Sequence, residues 1–154
     1  MSVFLGVIAI VICVIIAITL SQKYVIRRQY FEDFYFFNSR LKTEVAFSQR
    51  TILSLIEETD KERSLFFDIM KEHFCDSEKR IELKHLKKNE VDYLDSYLNT
   101  IGKSDKTTQL KFLEKIELEI GGELKKAKEE EIKYKSLYVK LGFLIGIAIL
   151  IILL

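Results

Sequence analysis

The distribution of charged side chains constrains this sequence more than any other feature. The chain has 154 residues, with 24 Lys and Arg and 23 Asp and Glu, and all of these charges lie between Lys23 and Lys140. Residues 1–22 and 141–154 contain no charged side chain and are mostly aliphatic. Because such segments must be shielded from water, the chain is not expected to fold as a simple soluble domain.

The two uncharged ends predict two transmembrane helices, at residues 1–22 and 136–154. Residues 3–20 would form about 27 Å of helix, close to the roughly 30 Å of a bilayer core. A cleaved signal peptide is the alternative, but no Lys or Arg precedes this stretch and residues 19–21 make a poor cleavage site. The second span reaches sufficient length only when it starts at Ser136, and the long side chain of Lys140 can extend to the headgroups. A helix docked on the protein itself is the alternative there, but this segment is apolar on all sides.

The cations next to the two spans predict the orientation in the membrane. They all lie on the side of the middle segment, and they are Lys23, Arg27, Arg28, Lys133, Lys135 and Lys140. Lys and Arg are enriched on the cytoplasmic side of membrane proteins. We therefore expect residues 23–140 to be cytoplasmic and both termini to be extracytoplasmic.

The middle segment predicts an all-α fold, with a small cytoplasmic bundle of about five helices between the N- and C-terminal transmembrane helices. Pro is absent from the chain, and the segment is rich in Leu, Glu, Lys and Ile, which favour helices. Apolar residues at spacings of three and four predict that the first helix continues beyond the membrane, and they are Tyr30, Phe34, Phe37, Leu41 and Val45. A second stripe predicts one last helix over residues 107–154, and it consists of Leu113, Ile116, Ile120, Leu124, Ala127, Tyr134, Tyr138 and Leu141.

Polar residues and one glycine predict the limits of the remaining helices. Gly102 is expected to end a helix in the left-handed conformation. Thr59 and Glu62 have the spacing of a capping box, which predicts a helix start at Thr59. The other predicted starts are at Asp76 or Ser77 and at Ser104 or Asp105.

Small residues predict close helix packing at two places. Gly121 and Gly122 lower the stability of the last helix by roughly 2 kcal/mol relative to two alanines, so we expect a close helix crossing there in preference to a bend. In the predicted spans, small residues at a spacing of four allow helices to pack closely. They are Gly142 and Gly146 in one span and Ala9, Cys13 and Ala17 in the other. The packing partner would be the other span or a span of another protein.

The sequence contains no recognisable catalytic, metal or cofactor motif. Gly102-Lys103-Ser104 copies the end of a phosphate-binding loop, but Tyr97 stands where that loop needs its first glycine. Glu82 and His85 have the spacing found in di-iron bundles, which need two such pairs. A formal net charge of +1 does not predict nucleic-acid binding. We expect a non-enzyme that needs no cofactor or metal and binds no nucleic acid.

Three segments resemble the stage III sporulation protein AB family of endospore-forming bacteria. Residues 98–109, LNTIGKSDKTTQ, resemble the family's Leu-Gly-x-x-Asp-x-x-x-Gln connection between two helices. Residues 135–146, KSLYVKLGFLIG, resemble its Lys-Met-Tyr/Trp-x-x-Leu-Gly-x-x-x-Gly entry into an apolar tail. Residues 44–52, EVAFSQRTI, look like its Glu-Ile-x-Tyr-x-x-Thr-Pro-Leu segment.

The resemblance implies a non-enzymatic subunit of the mother-cell channel complex, similar to the inner-membrane platform protein of type II secretion systems. Its cytoplasmic domain would couple to a secretion-type ATPase and to neighbouring channel subunits. Association with further copies of the same chain is compatible with this role. The alternative is a generic helical membrane scaffold or a holin-like phage protein. The candidate partner-binding residues are Glu44, Phe47, Thr51, Lys103, Asp105 and Gln109.

Overall fold

The structure is a computed structural model that describes residues 2–47, 51–59, 64–75 and 86–153. Every regular element within these residues is an α-helix, which confirms the all-α class. The helices are α1 (Ser2–Phe47), α2 (Ile52–Thr59), α3 (Leu65–Cys75), α4 (Lys88–Thr100) and α5 (Lys106–Leu153).

The chain divides into two compact units. The apolar unit contains residues 1–26 and 127–154, and the helical bundle contains residues 27–126. Helices α1 and α5 each contribute one part to the apolar unit and one part to the bundle.

The core of the helical bundle is built around the aromatic stripe of α1. Phe34 is fully buried, its ring stacks on Phe66 of α3 with centroids 5.0 Å apart, and the ring of Tyr97 of α4 lies 4.7 Å away. Such ring pairs contribute about 0.5–1.5 kcal/mol each beyond the burial of their area. The buried residues of the expected stripe are Tyr30, Phe34, Phe37 and Leu41.

The bundle part of α5 packs on the same core, and the residues of the expected stripe that it buries are Leu113, Ile116 and Ile120. In the apolar unit, Ala127 of this stripe is buried, whereas Leu141 is 44% exposed. The buried amide of Asn38 in α1 donates a hydrogen bond from Nδ2 to the carbonyl oxygen of Leu113, at 3.0 Å. A buried polar group is costly without a partner, so this bond favours one register of α1 against α5.

The start of α3 differs from the expected one, whereas α2 begins at Ile52. Thr51 precedes α2, and its Oγ1 accepts a hydrogen bond from the backbone nitrogen of Ser54, at 3.3 Å. The predicted start at Thr59 is wrong, because Thr59 is the last residue of α2 and α3 begins at Leu65. Helix α2 therefore continues to Thr59 instead of ending before it. The burial of Leu55 and Ile56 stabilises α2, and this outweighs the tendency of Thr59 to cap a new helix. The other half of that capping box, Glu62, and the alternative starts at Asp76 and Ser77 lie outside the described residues.

The connection between α4 and α5 has the helix stop and the helix start that the sequence predicted. Gly102 has a φ of 76°, which confirms it as the left-handed stop after α4. Asp105 caps the start of α5, since its Oδ2 accepts hydrogen bonds from the backbone nitrogens of Thr107 and Thr108, both at 3.1 Å. These bonds satisfy two of the donors that the first turn of a helix leaves unpaired.

The expected close crossing at Gly121 and Gly122 is wrong. A Cβ atom at Gly121 would lie 3.6 Å from the ring of Tyr35, which is an ordinary van der Waals distance. A Cβ atom at Gly122 would have nothing within 4 Å. Helix α5 continues through both positions, so neither glycine is required by packing against the described residues.

Candidate partner-binding surface

The end of α1 and the start of α2 lie against the connection between α4 and α5, and against the start of α5, at one end of the helical bundle. The Nζ atom of Lys106, at the start of α5, donates a hydrogen bond to the carbonyl oxygen of Ala46 near the end of α1, at 2.7 Å. The Cδ1 atom of Ile52 lies 3.1 Å from the place where a Cβ atom on Gly102 would stand. The structure therefore brings the family-like segments 44–52 and 98–109 together, and we call this region the connection end.

A groove of about 360 Å³ lies at the connection end. The end of α1, the start of α2, the connection between α4 and α5 and the start of α5 contribute to it, and its lining residues are Leu41, Val45, Ile52, Gly102, Ser104, Lys106 and Gln109. Ile52 and Lys106 were not predicted from the sequence, because their contacts are with residues distant in the chain.

Three of the predicted partner-binding residues form hydrogen bonds within their own segments. Asp105 caps α5, and the hydrogen bonds from Thr108 and Thr107 lower the pKa of its carboxyl below the usual value. Gln109 is only 4% exposed, and its Oε1 accepts a hydrogen bond from the hydroxyl of Ser104, at 3.0 Å. Thr51 accepts the hydrogen bond at the start of α2.

The other predicted residues are more accessible. Phe47, the last residue of α1, is 86% exposed. Lys103 is exposed, and its side chain forms no ion pair with the described residues. Glu44 is half-buried and interacts within the chain. Phe47 and Lys103 are thus the candidates whose side chains are available to a partner.

The helical bundle contains a buried ion pair that the sequence did not predict. The Nη2 and Nε atoms of Arg27 donate hydrogen bonds to Oε1 of Glu90, at 2.6 and 3.0 Å, and the two side chains are only 7% and 6% exposed. Glu123 lies 3.7 Å from the same Nη2, and the guanidinium carbon lies 5.3 Å from the ring centre of Phe31. Oε2 of Glu90 also accepts a hydrogen bond from the backbone nitrogen of Lys87, at 2.9 Å, before α4. Arg27 and Glu90 are 63 residues apart, so no spacing rule connects them.

The ion pair lies beside a second groove, of about 420 Å³. Glu90, Glu123 and the ring of Phe31 contribute to its wall, together with Leu118, which is 81% exposed. Tyr93 also lines this groove and donates a hydrogen bond to Oε2 of Glu119, at 2.8 Å. Burial, followed by this hydrogen bond to Glu119, raises the pKa of the Tyr93 hydroxyl above its usual value.

The predicted small residues of the apolar unit lie at a close helix contact. A Cβ atom on Gly142 would stand 2.8 Å from the Cβ of Ala17 and 3.0 Å from the carbonyl oxygen of Cys13. A Cβ atom on Gly146 would stand 2.8 Å from the Cα of Ile10. Real Cβ atoms essentially never come so close to other atoms, so both glycines allow α5 to approach α1. Ala9, the remaining predicted residue, is half-buried.

Helices α1 and α5 are both long and apolar enough to cross a membrane. Only 11% of the most apolar window of each is buried within the protein. The chain itself thus leaves these surfaces uncovered, which is compatible with a protein that crosses the membrane twice.

Comparison with known families adds to the description of the chain. The model of the family described as Stage III sporulation protein AB matches residues 2–154. No curated protein and no solved structure matches the chain.

Proposed function

Because the chain belongs to the stage III sporulation protein AB family, we propose that it is a non-enzymatic membrane scaffold that couples a secretion-type ATPase to neighbouring subunits of a sporulation channel. Membership of this family supports a sporulation-related membrane protein and argues against a holin-like phage protein. The coupling role is our extension, and it rests on the resemblance to secretion platforms. The absence of a recognisable nucleophile, metal set or phosphate loop from the sequence supports a scaffold over an enzyme.

The observation that carries the proposal is the contact of the end of α1 with the start of α5. An exposed aromatic side chain, Phe47, and a lysine without an ion pair to the described residues, Lys103, are found at this end, on segments joined by the bond from Lys106 to Ala46. Aromatic anchors are typical of the residues that dominate protein interfaces, and charged residues at the rim steer association. A scaffold binds best through such prearranged residues, because little conformational entropy is lost on association.

We predict that Phe47→Ser combined with Lys103→Glu weakens ATPase capture by at least about tenfold, since buried aromatic anchors often contribute 2 kcal/mol or more. The measurement is pull-down of the ATPase by full-length protein in detergent, with circular dichroism of the same samples. A gene for a secretion-type ATPase beside the gene for this chain would identify the partner to use. Asp105 is left unchanged, because its loss would also remove the cap of α5.

The matched control is Leu118→Ser combined with Lys125→Glu. It also replaces an exposed apolar residue and an exposed lysine, but at the second groove and on α5. We expect capture by this variant to equal that of the wild type. Undiminished capture by the first variant would remove the connection end from the proposal, and nucleotide turnover by the purified protein alone would contradict the non-enzymatic role.

The proposal also places the bundle in the cytoplasm, on the mother-cell side, with both termini outside. We predict that a reporter active only in the cytoplasm works when fused after Ser104, which follows only the first span, and fails when fused after Leu154. The physical reason is the position of all flanking cations on the side of the bundle. Activity of both fusions would contradict two spans.

A further inference from the structure

A cluster of tyrosines and lysines lies on α1 and α5 at the ends of the two apolar segments. The rings of Tyr24 and Tyr134 stack with centroids 4.5 Å apart and an angle of 13° between their planes, and the ring of Tyr138 is 6.3 Å from Tyr24. The Nζ atom of Lys23 lies 5.0 Å from the ring centre of Tyr24, and that of Lys133 lies 5.6 Å from the ring centre of Tyr134. We call these five residues the tyrosine–lysine cluster.

The lysines around this cluster form no ion pair with the described residues. Residues 1–26 and 132–154 contain four lysines and no Asp or Glu, and the nearest carboxylates in the sequence are Glu129, Glu130 and Glu131. These lysines are Lys23, Lys133, Lys135 and Lys140. None of them forms an ion pair with a residue that the structure describes. The charges of these lysines are therefore available to an anion from outside the described chain.

Neighbouring arginines are in a different situation. Arg27 pairs with Glu90 in the core of the bundle, and Arg28 pairs with Glu32 one turn further along α1. Their charges are compensated internally. The four lysines around the cluster differ from these arginines, because they form no ion pair with the described residues and lie next to the uncharged segments.

Two properties of the cluster favour a lipid as the source of the missing negative charge. Tyrosine side chains prefer the headgroup level of a membrane, where the ring is apolar and the hydroxyl is hydrated. The uncharged segments next to the cluster, before it in α1 and after it in α5, expose large aliphatic side chains such as Ile16 (53%) and Leu144 (60%). An anionic phospholipid presents a phosphate and acyl chains together, whereas a free anion offers nothing to these apolar surfaces.

We propose that the tyrosine–lysine cluster binds the headgroup phosphate of anionic phospholipid, while the acyl chains lie along the exposed apolar faces of α1 and α5. The stack of Tyr24 on Tyr134 ties the two helices together and keeps Lys23 and Lys133 on one site. This inference rests on the proposed insertion of both apolar segments into the membrane.

The test uses full-length protein in nanodiscs made of equal parts phosphatidylglycerol and phosphatidylcholine, with the retained lipids measured by native mass spectrometry. Wild-type protein should retain phosphatidylglycerol preferentially. Lys23→Gln combined with Lys133→Gln should lower this preference roughly fivefold for each lysine, which corresponds to about 1 kcal/mol each. Lys111→Gln combined with Lys125→Gln, which removes two exposed lysines of the bundle part of α5, should not change it.

A second variant separates the rings from the charges. Tyr24→Leu combined with Tyr134→Leu keeps both lysines but removes the stack, and it should also lower the preference for phosphatidylglycerol. An unchanged preference in both the lysine and the tyrosine variants would overturn the proposal. Loss of the preference of the wild type in excess inorganic phosphate would overturn it too, because the site would then accept a free anion.

Insertion is measured separately, by retention of the protein in carbonate-washed vesicles of phosphatidylcholine alone. Wild type and both variants should be retained equally. A wild type that is washed out would contradict the two-span proposal, whereas retained protein without a lipid preference would contradict only the headgroup site.

Discussion

Replacement of both Gly142 and Gly146 by leucine should separate α1 from α5 in the apolar unit. The missing Cβ atoms would stand 2.8 Å from the Cβ of Ala17 and 2.8 Å from the Cα of Ile10. A backbone atom cannot move aside as the tip of a flexible side chain can, so the helices must part. Overpacking of a tight contact costs roughly 1–3 kcal/mol for each substitution, and in lipid no general hydrophobic force restores the contact.

Crosslinking measures this separation. Cysteines at positions 24 and 134, whose native tyrosine rings stack at 4.5 Å, would be joined by a short bismaleimide in a background that lacks Cys13 and Cys75. The yield should fall sharply in the Gly142→Leu, Gly146→Leu variant, while membrane insertion stays intact because leucine is apolar.

The control for this prediction is Gly122→Ala. A Cβ atom there meets nothing within 4 Å, so alanine should leave the crosslink unchanged and stabilise α5 by about 1 kcal/mol. An unchanged crosslink in the double leucine variant would show that the glycines of the apolar unit do not govern the approach of the helices.

Removal of Arg27 should destabilise the helical bundle by roughly 3–5 kcal/mol, because it leaves the carboxylate of Glu90 buried without its main cation. Glu90→Leu should lower the free energy of unfolding by less, because Arg27 would still have a carboxylate nearby, that of Glu123 at 3.7 Å. The double variant Arg27→Met, Glu90→Leu removes both charges and should recover much of the loss of the single Arg27→Met variant.

Denaturant unfolding of the full-length protein in detergent, followed by circular dichroism, measures these differences. Arg28→Met is the matched control, because Arg28 is the next residue and its pair with Glu32 is partly exposed. Pairs of this kind contribute at most about 1 kcal/mol. Additive losses in the double variant would show that Arg27 and Glu90 are not energetically coupled.

The local chemistry of a few residues determined much of the fold. The uncharged ends are a property of composition, so they identify the two membrane candidates without knowledge of any contact. Gly102 and Asp105 act on their own backbone or on that of residues within one turn. Their roles could therefore be read from neighbouring residues in the sequence. Thr59 shows the limit of this approach, because the burial of Leu55 and Ile56 extends α2 over a position with good capping chemistry.

Only the tertiary structure decided which partners these elements have. Close packing was expected at both glycine pairs, yet only Gly142 and Gly146 lie against α1 too closely for a Cβ atom, whereas Gly122 faces open space. The difference depends on which atoms lie opposite each glycine. The helix propensity of glycine contains no information about those atoms. The pairing of Arg27 with Glu90 depends in the same way on the packing of α1 against α4. Patterns in the sequence describe each helix alone, while contacts between residues distant in the chain arise only when several buried faces are satisfied together.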